Sequence, residues 1–142
     1  MTVDYVKPIP EPNRDSRGFW EGCRARELRI LRCRECGTYV HQPAPLCHAC
    51  NASELDWQRV SGRGRVYSWV VVHHGTLPGF SRETPYVVAF IELAEQPGLR
   101  ILSNVIDCDP SELCDGFEVS VTFVDAGDEV SLPVFRPAGA GE

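Results

Sequence analysis

The residue types with chemistry to offer are concentrated between positions 33 and 50, in CRECGTYVHQPAPLCHAC. Cys33 and Cys36 form one Cys-x-x-Cys pair, Cys47 and Cys50 form a second, and ten residues separate the two. One such turn presents two sulfurs at neighbouring corners of a tetrahedron, so two turns supply the four thiolates of a closed structural zinc site. A redox Cys-x-x-Cys needs only one pair, and a disulfide framework conflicts with a reducing compartment. Gly37 follows the first pair and Asn51 the second, and both residue types accept a left-handed backbone. The return from Thr38 to Leu46 reads as a short hairpin bent by Pro43 and Pro45. With four thiolates placed, His41 and His48 read as exposed polar residues and not as ligands. A closed set leaves no position for water, so the ion is expected to hold structure and perform no chemistry.

Elsewhere the chemistry-bearing residues are scattered. His73 and His74 are adjacent, so on a strand they point to opposite sides and do not converge on one reacting atom. No nucleophile elbow, phosphate loop, paired carboxylate motif or open metal site is visible, and catalysis by the chain alone is not expected. Cys23, Cys108 and Cys114 have no neighbouring base or basic cluster to lower their pKa, so they read as small buried hydrophobes. Arginines at 24, 26, 29, 32 and 34 make the N-terminal segment basic, a surface for an anionic ligand or simply a solvated one.

These residues need elements to position them. Asp15 or Ser16 can cap a short helix through GFWEGCRAREL, in which Phe19, Trp20 and Cys23 share one side. Leu28 and Ile30 then lead into Cys33 as a strand. After Cys50 five β-rich runs follow, Trp57 to His73, Tyr86 to Leu93, Leu99 to Ile106, Phe117 to Asp125 and Val130 to Arg136. Between the third and fourth, DPSELCDG offers Asp109 as a cap, Pro110 at the first helical position and Gly116 beyond the end, the pattern of a short helix. Five strands with that helix match the order of an OB-fold barrel. The reading is thus mostly β: an extended arm over 1–15, a helix plus four-cysteine zinc ribbon over 16–56, an OB-fold over 57–137 and a flexible tail over 138–142. Gly62 and Gly64 mark where a coiled barrel strand bends. The segment HHGTLPGFSRETP is long and polar, the best candidate for a functional loop.

Charge and hydropathy narrow the functions. No signal-like apolar segment opens the chain, and apolar runs such as Trp69 to Val72 are far short of the roughly 20 residues that cross a bilayer. A cytoplasmic protein is expected, which agrees with the free thiols. OB barrels and zinc ribbons often bind nucleic acid, so a single-stranded nucleic-acid binder is the alternative reading. Residues 61–142 hold five arginines and no lysine against twelve acids, where phosphate binding calls for a cationic groove. Four thiolates around a divalent ion add further negative charge. Nucleic acid is therefore an unfavoured partner.

Taken together, FWEG at 19–22, ELRILRCRECG at 27–37, PLCHAC at 45–50, GRGRVYSW at 62–69, PYVVAFIEL at 85–93 and NVIDCDPSEL leading to LPVFRP at 132–137 resemble the "domain of unknown function 35" family. The resemblance runs from about Pro8 to Pro137. It implies an N-terminal helical segment, a rubredoxin-like zinc ribbon and a C-terminal OB-fold. It also implies a function: such proteins accompany thiolase-superfamily enzymes acting on acyl-CoA esters, including lipid-transfer-protein-like aldolases of steroid side-chain degradation. The thiolase-fold subunit carries the catalytic residues there. The chain is expected to be a noncatalytic subunit supporting such an aldolase or acyltransferase, with its partner supplied in trans and a CoA ester as a shared ligand. Candidate contacts to partner or CoA ester are His73, His74, Arg82, Tyr86, Arg24 and Arg29, chosen on chemistry and not on a family motif. Two positions depart from the family pattern, Cys23 in the helix and His48 between the second ligand pair, and neither touches the ligand set.

Overall fold

A computed structural model describes residues 7–74, 79 and 84–139. The chain first forms α1 (Arg17–Arg24), eight residues long. The expected side-chain cap is absent, because Ser16 is turned the other way. Its Oγ accepts the Asn13 N–H at 3.0 Å, while Asn13 Oδ1 accepts the N–H groups of Asp15 and Ser16 at 2.9 and 3.0 Å. The helix also stops earlier than the pattern through Leu28 implied. Arg26 takes a left-handed backbone, φ 63°, and the Glu27 N–H reaches the Gly22 carbonyl while that of Arg26 reaches Cys23, a Schellman ending. Phe19 and Cys23 are buried on the inner face. Gly18 lies directly on the Trp57 indole, where a Cβ would stand 2.2 Å from Nε1, so only glycine lets the helix sit this close.

The next three strands form a small antiparallel sheet in the order β2-β1-β3, from β1 (Arg29–Cys33), β2 (Tyr39–Val40) and β3 (Leu55–Arg59). Leu31 faces Val40, and Cys33 faces Leu55. The hairpin therefore closes around the first cysteine pair; residues 41–46 add no strand, contrary to the hairpin expected over Thr38 to Leu46.

A closed barrel follows, β4 (Arg63–Val72), β5 (Tyr86–Leu93), β6 (Arg100–Val105), β7 (Glu118–Ala126) and β8 (Val130–Pro137), in the order β4-β5-β6-β8-β7. All its pairings are antiparallel except β6 with β8, joined in parallel at Val105 and Phe135. The expected run Trp57 to His73 is two strands. Trp57 belongs to the ribbon sheet, and Gly62, at φ 79°, turns the chain into the barrel. The expected helix at DPSELCDG is a single 3-10 turn over Pro110–Glu112, with the Asp109 carboxylate accepting the Ser111 N–H at 2.9 Å.

Inward residues alternate along the barrel strands, as Val87, Ala89, Ile91 and Leu93 do on β5, around a fully buried Phe135. The same cluster continues into Phe19, Cys23, Leu28, Ile30 and Tyr39, so helix and ribbon share the barrel's core. Among the described residues no helix is long and apolar enough to cross a membrane.

Candidate metal centre

The two cysteine turns are built alike. In the first, the Gly37 N–H donates to the Cys33 carbonyl at 3.0 Å and the Cys33 N–H to the Thr38 carbonyl at 2.9 Å. In the second, Asn51 donates to the Cys47 carbonyl at 2.8 Å and Cys47 to the Ala52 carbonyl at 2.9 Å. The residue after each pair is left-handed, Gly37 at φ 77° and Asn51 at φ 63°, as their side chains permit. The Ala49 N–H is thereby aimed at Cys47 Sγ, 3.4 Å away.

Across the two turns Cys33 Sγ lies 3.6 Å from Cys50 Sγ, and Cys36 Sγ 3.6 Å from Cys47 Sγ. All four sulfurs lie within 4.8 Å of one another. Zn–S bonds of about 2.3 Å place tetrahedral sulfurs about 3.8 Å apart, so the donor set fits a single ion. Cys33 and Cys47 are buried and Cys36 and Cys50 face outward. Four thiolates this close need a cation between them. The Thr38 side chain first, and its backbone second, hold Cys36 down at about 6. A backbone hydrogen bond with Ala52 lowers Cys50, yet the surrounding sulfurs, Cys33 and Cys36 foremost, drive it up to about 12. The arrangement positions four cysteines for a metal ion.

His48 is exposed, as expected, but His41 is not. It is half-buried against Phe19, ring centres 5.7 Å apart, and burial lowers its pKa to about 4. Of the other cysteines, Cys23 is fully buried and its thiol is pushed up to about 12 by desolvation. Cys108 is half-buried and also raised, by burial and then by Glu112. Cys114 is exposed, a correction to its expected burial, because it follows the 3-10 turn on the outside of the barrel.

The candidate contact residues fall into separate groups. His73 and His74 are exposed at the end of β4, and Tyr86 is opposite Val72 at the start of β5, so these three share one end of a strand pair. Arg82 lies outside the described residues. The basic segment has internal partners. Arg24 and Arg26 reach Asp125 on β7, at 3.7 and 2.9 Å, and the buried Ser131 hydroxyl donates to the same carboxylate at 2.8 Å. Ser131 and then Arg26 hold Asp125 below the usual carboxylate range. Arg29 bonds Glu27 at 2.8 Å, Arg34 pairs with Asp56, and Arg32 covers the Tyr39 ring.

One coupling residue was not visible in the sequence. Gln96, in the β5–β6 turn, accepts the Tyr39 N–H at 2.9 Å and donates to the Tyr39 carbonyl at 3.1 Å. A side-chain amide thus stands in for a neighbouring strand beside β2. Beside it Glu95 accepts the Ser61 N–H at 2.8 Å. No local pattern marks an amide in a turn as a sheet partner.

The fold and the four-cysteine site define a zinc-ribbon OB-fold protein. Residues 20–56 match the rubredoxin-like zinc ribbon domain of ChsH2, and residues 57–124 match its C-terminal OB-fold domain. A solved structure, "Ltp2-ChsH2(DUF35) aldolase", superimposes with a TM-score of 0.83 at 40% identity, covering 92% of this chain and 99% of that one. A "DUF35 domain-containing scaffold protein" of Methanocaldococcus jannaschii is 35% identical over 106 residues, 73% of each chain. The "Probable enoyl-CoA hydratase alpha subunit" of Thermomonospora curvata is 40% identical over 94% of this chain and 40% of its own length. The "Benzoylsuccinyl-CoA thiolase subunit BbsA" of Thauera aromatica is 31% identical over 70% of this chain and 65% of its own. The chain belongs to the DUF35 family, with the zinc ribbon and OB-fold domains of ChsH2. It spans about two fifths of the length of the hydratase alpha subunit it matches.

Proposed function

We propose that this chain is a noncatalytic subunit that binds and supports a thiolase-fold acyl-CoA enzyme, an aldolase or acyltransferase of lipid, steroid or aromatic degradation. The observation that carries this reading is the likeness to the DUF35 component of the Ltp2 aldolase along almost the whole of both chains. The thiolase-subunit relative supports the partner class, and the scaffold relative supports a role without chemistry of its own. We assign the ion as Zn²⁺, held by Cys33, Cys36, Cys47 and Cys50, because soft thiolates in a tetrahedron select it over hard cations. A cluster of free thiolates needs a reducing compartment, so we place the protein in the cytoplasm. We keep His73, His74, Arg82 and Tyr86 as candidate contacts to the partner or the CoA ester on their chemistry, while Arg24 and Arg29 pair with carboxylates of this chain.

The test is reconstitution with the Ltp2 subunit of the matched aldolase. Light scattering on a sizing column is expected to show a complex, and carbon–carbon cleavage of a CoA thioester to rise at least tenfold over Ltp2 alone. Turnover by the purified chain alone, or no complex, overturns the reading.

A further inference from the structure

The outer face of β4-β5-β6 carries large apolar side chains where a solvated strand places polar ones. Tyr67, Val70, Phe90 and Leu102 are 50, 60, 44 and 57% exposed. The ladder gathers them. Phe90 is opposite Leu102 on one side and Ser68 on the other, Tyr67 occupies the bulge beside Ser68, and Val70 is two residues further along. Just beyond Leu102 the surface drops into a groove of about 450 Å³ between β6, β8, α1 and the chain at His41, lined by Phe19, Trp20 and Pro133. Leu102 belongs to both, so patch and groove are one surface. Along the strands the patch runs on to Val72 and Tyr86, beside His73 and His74.

We infer that this surface docks the catalytic subunit of the preceding reading, on which the inference rests, through a partner face with an apolar centre and an acidic rim. Charge selects that occupant. The chain as a whole is net −6, yet the strands of this face and the adjoining β7 bring Arg63, Arg65 and Arg100 to its border against Glu92 and Glu118, one cation in excess. A nucleic-acid platform needs open ring faces and free cations. Here Arg100 lies over the Tyr67 ring, 3.7 Å from its centre, and reaches Glu92 at 3.8 Å, while Arg65 reaches Glu118 at 3.9 Å. Aromatic and arginine side chains around aliphatic ones, with no lysine, are the make-up of a protein interface centre. The groove has room for a large side chain of the partner, the usual anchor of such a centre.

Affinity for the Ltp2 subunit, measured with the full chain, tests this. Phe90→Arg with Leu102→Asp is expected to weaken binding at least a hundredfold, and Leu102→Ser alone about tenfold, with zinc content and melting midpoint unchanged; the milder variant decides if the double one fails to fold. Arg100→Glu is expected to weaken binding about tenfold and reduce its salt dependence. Variants that bind like the unsubstituted chain overturn the inference and leave the proposed function standing. An unsubstituted chain that does not bind overturns the function, and the inference with it. Dimers in sedimentation that the Leu102 variant abolishes would assign the face to a second copy, and a low-salt shift of oligo(dT) that it abolishes would assign it to nucleic acid; either overturns the inference.

Discussion

The ribbon and the barrel are both small β structures, but they are held together by different means. The barrel closes five strands around Phe135 and a continuous set of aliphatic side chains. The ribbon's own cluster consists of Leu31, Cys33, Val40 and Cys47, and two of those four belong to the cysteine set positioned for a metal ion. Removing apolar surface from water suffices for the first region; the second has too little of it, and sulfur–metal bonds at the four cysteines would supply what the core lacks. The difference teaches where each region is vulnerable: the barrel at its packing, the ribbon at its ligands. The seam is made of Gln96, the Asp125 cluster and the shared residues Phe19, Ile30 and Tyr39.

The largest effect is expected from the metal. Cys47→Ser, or chelation, should take the zinc content from one ion per chain to none and remove metal-linked stability on the order of 10 kcal/mol. Hydrogen exchange should then show residues 29–59 unprotected while β4 to β8 keep their protection. A single joint loss of both regions would break the comparison, because it would mean that the shared cluster makes them one cooperative unit. Retention of one zinc in this variant would contradict the ligand assignment.

The converse perturbation is smaller. Phe135→Ala leaves a cavity at the fully buried centre of the barrel and should cost about 3–5 kcal/mol in denaturant unfolding. Zinc stoichiometry should stay at one.

Acid should act at the seam, through His41. Its ring is neutral in the fold, with a pKa of about 4 against the ordinary 6.5, because it is packed away from water on Phe19. The unfolded chain therefore takes up this proton first. The neutral ring's contribution is complete above pH 6.5 and is lost as pH falls from there to about 4, a range that corresponds to about 3 kcal/mol at most. His41→Gln should flatten that part of the stability profile, and equal slopes for both proteins would show that the ring is solvated.

Much of this was legible along the chain because it is local. The two Cys-x-x-Cys pairs, with Gly37 and Asn51 behind them, carry their geometry within six residues each, and the sulfurs meet as that spacing requires. The barrel strands announced themselves by alternation and by their turn residues. Errors arose where a long-range contact outweighed a local pattern. Trp57 continues the apolar run into β4, yet its indole is claimed by Gly18 on α1, and its strand by β1. Two arginines of the basic segment share Asp125, 99 positions away from Arg26, a pairing that no local pattern shows.

The amino-acid order by itself determined which four sulfurs gather, that the rest is a five-stranded barrel, and that the chain as a whole is acidic. Tertiary structure alone decided that Gln96 completes the ribbon sheet from 57 residues away, that His41 packs against Phe19, and that Tyr67, Phe90 and Leu102 meet on one outer face. The reason is physical. Knuckles, turns and strand alternation are set by the conformations of neighbouring residues, whereas a ladder partner or a groove wall depends on where distant segments pack once the core closes.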